Sequence, residues 1–367
     1  MAYPPPTPGI DCTLAGHPVS QLATGRLRLG LRVEFTPLLP VSLTETLMPI
    51  RRGPADRTMH LSHREGRENI WCTARLPMRE DASSELAVTL HFERTDTSLL
   101  SPIRVDLWVN IAPAAAAEQV PIMNALRQFA ETMPAWCGQA DSWDSLFESH
   151  AWAQAPRTLR EAAREHPGLR LGASGQIMRH AYTAVLEQRV TQKEAFSTLR
   201  AIADTYGEPA PLSADSSQPH LLVFPANKGW GAIPSWQWHA WNVDSSRYRT
   251  IGRLAARASA LERIGTEESV QATAQALASI PGVGPWTIAE TLQRFCGHPD
   301  ALSIGDYHLA HHVGWALSGE RTDDAGMLEL LSPYAGSRQR IVRLIRAAHL
   351  GAPRRGAKIT IEDHRNR

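Results

Sequence analysis

The sequence predicts an α+β protein: an N-terminal antiparallel β-rich domain followed by a mostly α-helical core. Three observations lead there. Apolar and polar residues alternate in three runs between residues 26 and 109, the pattern of strands with one wet face. Pro113 and the alanine run Ala114–Ala117 then form a junction. Beyond it, apolar residues recur at the spacing of a helix face as far as Leu350.

Each element follows from its own pattern. Leu27, Leu29, Leu31, Val33 and Phe35 mark one strand. Leu86, Val88, Leu90 and Phe92 mark a second, and Ile103, Val105, Leu107 and Val109 a third. Leu43–Ile50 reads as a short helix between them. Residues 20–115 are therefore expected to form a small α+β domain, preceded by a Pro-rich flexible tail at 1–19. The helical core takes 116–350, with helices expected at 119–133, 157–166, 175–206, 246–264, 267–279, 286–295, 306–317, 323–332 and 336–349. Pro209–Ser235 is rich in Pro, Gly and Ser and reads as a long loop. Residues 351–367 read as a basic, mobile tail.

Composition excludes several classes. Hydrophobic content of 43% and charged content of 20% are those of a globular chain. No apolar run of about 18 residues is present, so no membrane span is expected. Met1–Asp11 lacks the basic-then-apolar pattern of a signal peptide, and a cytoplasmic monomer is expected. Cys12, Cys72, Cys137 and Cys296 lie far apart without metal-ligand spacing, so reduced thiols are expected rather than a zinc ribbon or iron–sulfur cluster. The net charge of +1 divides unevenly, −4 over residues 1–150 and +5 over 151–367. The last stretch carries Arg338, Arg340, Arg343, Arg346, Arg354, Arg355, Lys358, Arg365 and Arg367 against Glu362 and Asp363. Such a bias fits a polyanion partner, or else a solvated helix face and tail.

One turn stands out. A helical segment ending at Ser279 runs into Ile280-Pro281-Gly282-Val283-Gly284-Pro285, and a second helix follows at once from Trp286. Gly282 and Gly284 permit positive φ and close backbone approach. Turn amides followed by a helix N-terminus form an anion site that can hold a DNA phosphate without reading sequence. A Gly-x-Gly turn alone is equally a plain connection between helices.

The longer string Leu277-x-x-Ile280-Pro281-Gly282-Val283-Gly284-x-x-Thr287 resembles the hairpin of the helix-hairpin-helix DNA glycosylase superfamily. Pro281–Thr287 is similar to its 3-methyladenine DNA glycosylase II branch. Ala184–Thr191 resembles the segment that enters the DNA minor groove in that branch, and Tyr206-Gly207-Glu208 the stretch after it. The resemblance spans roughly residues 155–350 and implies double-stranded DNA with damaged bases as the partner. It implies that Gly282, Val283, Gly284, Thr287, Gln188 and Arg189 meet DNA, with Arg189 as the wedge where the branch often has an apolar residue. It also implies a sodium or potassium ion held by the carbonyls of Ala278, Ile280 and Val283, with no other cofactor required.

The resemblance places the catalytic carboxylate at Asp306, in Ser303-Ile304-Gly305-Asp306-Tyr307-His308. The residues alone read Asp306 as a helix N-cap, a role compatible with catalysis because a helix N-terminus keeps a carboxylate ionised. An alkylated purine already carries positive charge and leaves readily, so one ionised carboxylate near C1′ suffices to stabilise an oxocarbenium-like sugar. Strand-cleaving members of the superfamily carry a Lys where this chain has Trp286, so a monofunctional enzyme is expected. Trp286 and Tyr307 are candidates to stack on a cationic base. Glu290, where the branch commonly has an aromatic, is a candidate acidic wall of the same pocket.

Two other readings stay open. The hairpin could serve a non-catalytic DNA- or lesion-binding protein. A metal-dependent hydrolase could use Asp306 with His308, His311 and His312, of which His308 and His312 are one helical turn apart. Trp236, Trp238, His239 and Trp241 read as a core anchor, and Asp323 and Asp324 as helix caps.

Overall fold

The computed structural model describes residues 10–353 except 18–19, 23–25, 79–84, 95, 113–118 and 212–217. Residues 1–9 of the expected N-terminal tail, the alanine junction and the basic residues from Arg354 onward lie outside the described residues.

Among the described residues, seven antiparallel strands form one sheet: β1 (Thr13–Gly16), β2 (Ser20–Gln21), β3 (Leu27–Phe35), β4 (Met59–Arg64), β5 (Arg67–Pro77), β6 (Glu85–Arg94) and β7 (Ile103–Ile111). Their order is β1-β3-β7-β6-β5-β4, with β2 also paired to β3. The β3–β7 register sets Leu29 opposite Val109, Leu31 opposite Leu107, Val33 opposite Val105 and Phe35 opposite Ile103. All eight bury on one face, against Leu43 and Leu47 of a short helix and Ile122, Leu126 and Phe129 of the helix Gln119–Ala130. Burying each such side chain contributes roughly 1.5–3 kcal/mol.

Four strands of this sheet, β1, β2, β4 and β5, were not expected. The flexible tail expected at 1–19 contains β1, whose backbone pairs with Leu31–Glu34; most of its side chains are exposed, so no alternation announces it. In β5, Ile70, Cys72, Ala74 and Leu76 face the main core. On the other face Trp71 stacks on His91 at 3.9 Å and on Trp108 at 5.9 Å, covered by Ala210, Leu221 and Val223. With both faces covered, the wet-face alternation disappears.

The helical part contains two apolar clusters. One runs from Ile177 to Phe295 and includes Ile280 and Val283 of the hairpin. The other joins Trp143–Leu169 to Leu302–Ile345 and includes Leu309, just after Asp306. The stretch 175–206 divides into helices Ile177–Leu186 and Gln192–Tyr206. Arg189 takes φ +53° in the break, and Thr191 with Glu194 forms a capping box that starts the second helix. The stretch 246–264 divides at Arg257 into Ser245–Ala256 and Ala258–Glu267. The loop expected at 209–235 holds a strand, Leu222–Val223, paired with Glu208–Pro209, and the helix Asn227–Ala232, anchored by Trp230 stacked on Tyr182 at 4.6 Å.

Trp238 is buried and Trp241 packs with it, as expected of a core anchor, whereas Trp236 is exposed. The cysteines are free thiols. Among the described residues no helix is long and apolar enough to cross a membrane. The C-terminal arginines are not all a free basic face. Arg338 pairs with Asp300 at 2.5 Å, Arg340 with Asp141 at 2.6 Å, and Arg343 donates to the Glu45 carbonyl at 2.9 Å. These contacts fasten the last helix, Arg338–Ala347, to the rest of the chain.

Candidate active site

The hairpin joins helices Val270–Ala278 and Pro285–Phe295. Gly282 sits at φ +97°, and a Cβ added there would lie 2.0 Å from Thr250 Oγ1. Backbone strain and a collision both demand glycine at this position. Gly284 differs from expectation: its φ is −102°, and a Cβ added there would meet nothing within 4 Å. Its small size leaves the backbone open from outside rather than permitting a turn. Pro285 opens the second helix, where its missing N–H costs nothing.

Val283 and Thr287 are both buried, so their side chains are not open to solvent. Val283 N–H donates to the Ile280 carbonyl at 3.0 Å, closing the turn. The Gln188 side chain donates to the Gly282 carbonyl at 3.0 Å and to Thr287 Oγ1 at 2.7 Å. Gln188 thus ties the break between helices Ile177–Leu186 and Gln192–Tyr206 to the hairpin. Arg189 stands exposed beside it. Arg253 donates to the Pro281 carbonyl at 3.1 Å from behind. Ala278 ends the first helix and Ile280 and Val283 lie in the turn after it; their carbonyls are neutral oxygen donors of the kind that suits a monovalent cation, and the Ile280 carbonyl also accepts from Val283 N–H.

Asp306 lies just before the helix Leu309–Ser318. The N-cap position is His308, whose side chain makes no cap bond; Asp306, two residues earlier, supplies it instead, its Oδ1 accepting from the amides of His308 and Leu309, both at 2.9 Å. Among the described residues Oδ2 accepts no hydrogen bond. The loop before it is held at both ends. Asp306 N–H donates to the Ser303 carbonyl at 3.1 Å, and Gly305 N–H donates to Asp324 Oδ2 at 2.9 Å. Asp324 thus does more than start its helix; Asp323 is the cap, accepting from Gly326 N–H.

The expected pocket residues separate. Trp286 is half-buried. Tyr307 is 74% exposed and edge-on to His308 at 4.8 Å, so it is not a core residue. Glu290 is not an open acidic wall. One carboxylate oxygen accepts from Arg294 at 2.7 Å and the other from the Ser303 hydroxyl. Burial alone would raise its pKa, but Arg294, Arg346 and Ser303 prevail and bring it down to about 2. Arg294 also donates to the Pro49 carbonyl at 2.8 Å, which brings the sheet domain to the site.

Sequence reasoning missed a second buried pair. Arg52, from the sheet domain, meets Glu187 at 2.7 Å where the helix Ile177–Leu186 ends. Burial raises the Glu187 carboxyl; Arg52 and Arg294 oppose the shift, and Asp306 adds to it. No sequence signal links residues so far apart. Glu290 and Arg294 were readable as an i, i+4 pair. The histidines form no metal centre: His311 Nδ1 is engaged by the Thr322 carbonyl at 2.8 Å, and among the described residues no three His, Cys, Asp or Glu side chains converge.

No family model and no curated protein matches the sequence. Solved structures do. The 3-methyladenine DNA-glycosylase from Archaeoglobus fulgidus superposes with a TM-score of 0.62 at 14% identity, covering 86% of this chain and 98% of that one. The Clostridium acetobutylicum 8-oxoguanine glycosylase/lyase gives 0.57 at 9% identity in its apo form, covering 95% and 100%. The same protein bound to double-stranded DNA with cytosine opposite 8-oxoG gives 0.54 at 10% identity, covering 94% and 98%. This chain has the helix-hairpin-helix DNA glycosylase fold. The likeness takes in the sheet domain as well as the helical part, which is the architecture expected from the sequence. In that fold the hairpin belongs to one apolar cluster and the Asp306 loop to the other.

Proposed function

We propose that this chain is a monofunctional DNA glycosylase that removes damaged bases, alkylated purines in particular, from double-stranded DNA and leaves an abasic site. The observation that carries this reading is Asp306, fixed through one oxygen at a helix N-terminus with the other left available, in a glycosylase fold with a Gly/Pro hairpin. The hairpin amides and the first turn of Pro285–Phe295 grip a backbone phosphate, with Gly284 leaving room for it. A sodium or potassium ion, held by the carbonyls of Ala278, Ile280 and Val283, would add positive charge beside that phosphate. Arg189, exposed at the tip next to Gln188, fills the gap left by the flipped base.

Asp306 then stabilises the developing positive charge at C1′ and orients water toward it, a contribution of several kcal/mol. Trp286 offers a half-buried indole face to a cationic base and no amine to attack the sugar. The Clostridium protein of the same fold is named a glycosylase/lyase, so the fold alone does not exclude lyase chemistry; what supports the monofunctional reading is Trp286, which has no amine. Mass spectrometry of bases released from methylated duplex DNA tests the activity, and borohydride trapping tests the mechanism. Release of alkylated purines without a trapped protein–DNA adduct is expected. A trapped adduct contradicts the monofunctional assignment. If no base is released from alkylated, oxidised or deaminated DNA, the protein binds lesions without excising them.

A further inference from the structure

Resting on the glycosylase reading, we infer that Glu290 is a positioning residue that sets the catalytic carboxylate through Ser303. The contacts run in one line. The Pro49 carbonyl of the sheet domain accepts from Arg294 Nε at 2.8 Å. Arg294 Nη1 reaches Glu290 Oε2 at 2.7 Å and also the Glu290 carbonyl at 2.8 Å. Glu290 Oε1 accepts from the Ser303 hydroxyl. The Ser303 carbonyl accepts from Asp306 N–H at 3.1 Å. Gln293, on the same helix as Glu290, donates to Ser303 Oγ at 2.9 Å and to the Ala301 carbonyl at 3.0 Å.

This arrangement is more than packing. Ser303 is 1% exposed, and its hydroxyl both donates to Glu290 and accepts from Gln293, so its position is fixed from two sides. Ile304 and Gly305 are exposed, and Gly305, at φ +86°, lets the chain turn back to the half-buried Asp306. A buried, ionised Glu290 cannot serve as a proton donor, and both of its oxygens are engaged. An aromatic residue at this position could stack on a base but could not hold Ser303. The chain thus has a support for the loop where its branch more often has a pocket wall, and the sheet domain supplies the first link.

Single-turnover base release from methylated duplex DNA at saturating protein, duplex affinity and Tm are measured together for wild type, Ser303→Ala, Glu290→Gln and Asp306→Asn. Ser303→Ala keeps the Glu290–Arg294 pair, so it stays informative if Glu290→Gln does not fold. The expected result for Ser303→Ala is release slowed by about 10²-fold at saturating protein with affinity near wild type, beyond the modest fall in Tm that unpairing a buried hydrogen bond brings, the cost of a misplaced group. A Ser303→Ala rate within about twofold of wild type, with Asp306→Asn inactive, overturns the positioning role and leaves the glycosylase reading standing. A loss that tracks equal losses of Tm and affinity also overturns it, since a purely structural role behaves that way. Wild-type protein that releases no base overturns the glycosylase reading and this inference with it.

Discussion

The hairpin and the Asp306 loop are both short, glycine-containing turns, and they are supported in different ways. The hairpin is held by apolar packing and by bonds to its carbonyls: Ile280 and Val283 are buried, Thr250 packs under Gly282, and Gln188 and Arg253 donate to the turn. The Asp306 loop is held from inside, through buried Ser303, Glu290 and Arg294, with Asp324 bracing Gly305. The two turns belong to different apolar clusters. A phosphate grip has only to present amides, so apolar packing and hydrogen bonds to the turn suffice. A carboxylate acting on a developing cation has to be placed closely, and buried anchors provide that.

The comparison can be broken most strongly from the inside. Arg294→Met leaves Glu290 a buried, unpaired carboxylate and should cost about 3–5 kcal/mol in urea unfolding. An unchanged midpoint would show that the loop does not depend on its buried anchors. Gly282→Ala meets both the positive φ and Thr250, and should cost about 1–3 kcal/mol. Gly284→Ala sharpens the contrast, because its methyl points into open space. Its stability should stay within about 0.5 kcal/mol of wild type. Its duplex affinity should fall about tenfold by gel shift or fluorescence anisotropy, since the methyl stands where the phosphate would approach. Unaltered affinity would place the phosphate elsewhere.

The smallest effect lies away from both turns. Burial, then the nearby Glu85 carboxylate, pushes Glu262 up to about 7, against the opposing hydrogen bond from Asn227. A raised carboxyl favours the folded state at low pH, and that contribution is lost as pH rises from the unfolded carboxyl range through about 7. Glu262→Gln should flatten the Tm–pH curve across that window. A curve identical to wild type would show that Glu262 does not titrate there.

Much of this was legible in the sequence, and the rest was hidden for physical reasons. β3, β6 and β7 were readable from residue types that alternate over most of each strand, whereas in β5 the apolar run Ile70-Trp71-Cys72 breaks the alternation because Trp71 packs on the second face beside Trp108 of β7. The Asp306 cap followed from a Gly-Asp pair before an apolar run. The hairpin was legible as a string, but the different demands at Gly282 and Gly284 required coordinates. Glu290 was expected in the pocket because the branch that the string resembles commonly has an aromatic there. Its true partners are Arg294, a local i, i+4 neighbour, and Ser303, which a separate loop brings near. Arg52 with Glu187 joins two domains and leaves no local trace.

The central claim is that the hairpin grips and Asp306 cuts. The most direct measurement takes Asp306→Asn and wild-type protein on the same methylated duplex and records binding and base release together. The account predicts affinity close to wild type with release lowered by at least about 10²–10³-fold. Release at the wild-type rate from Asp306→Asn would contradict it.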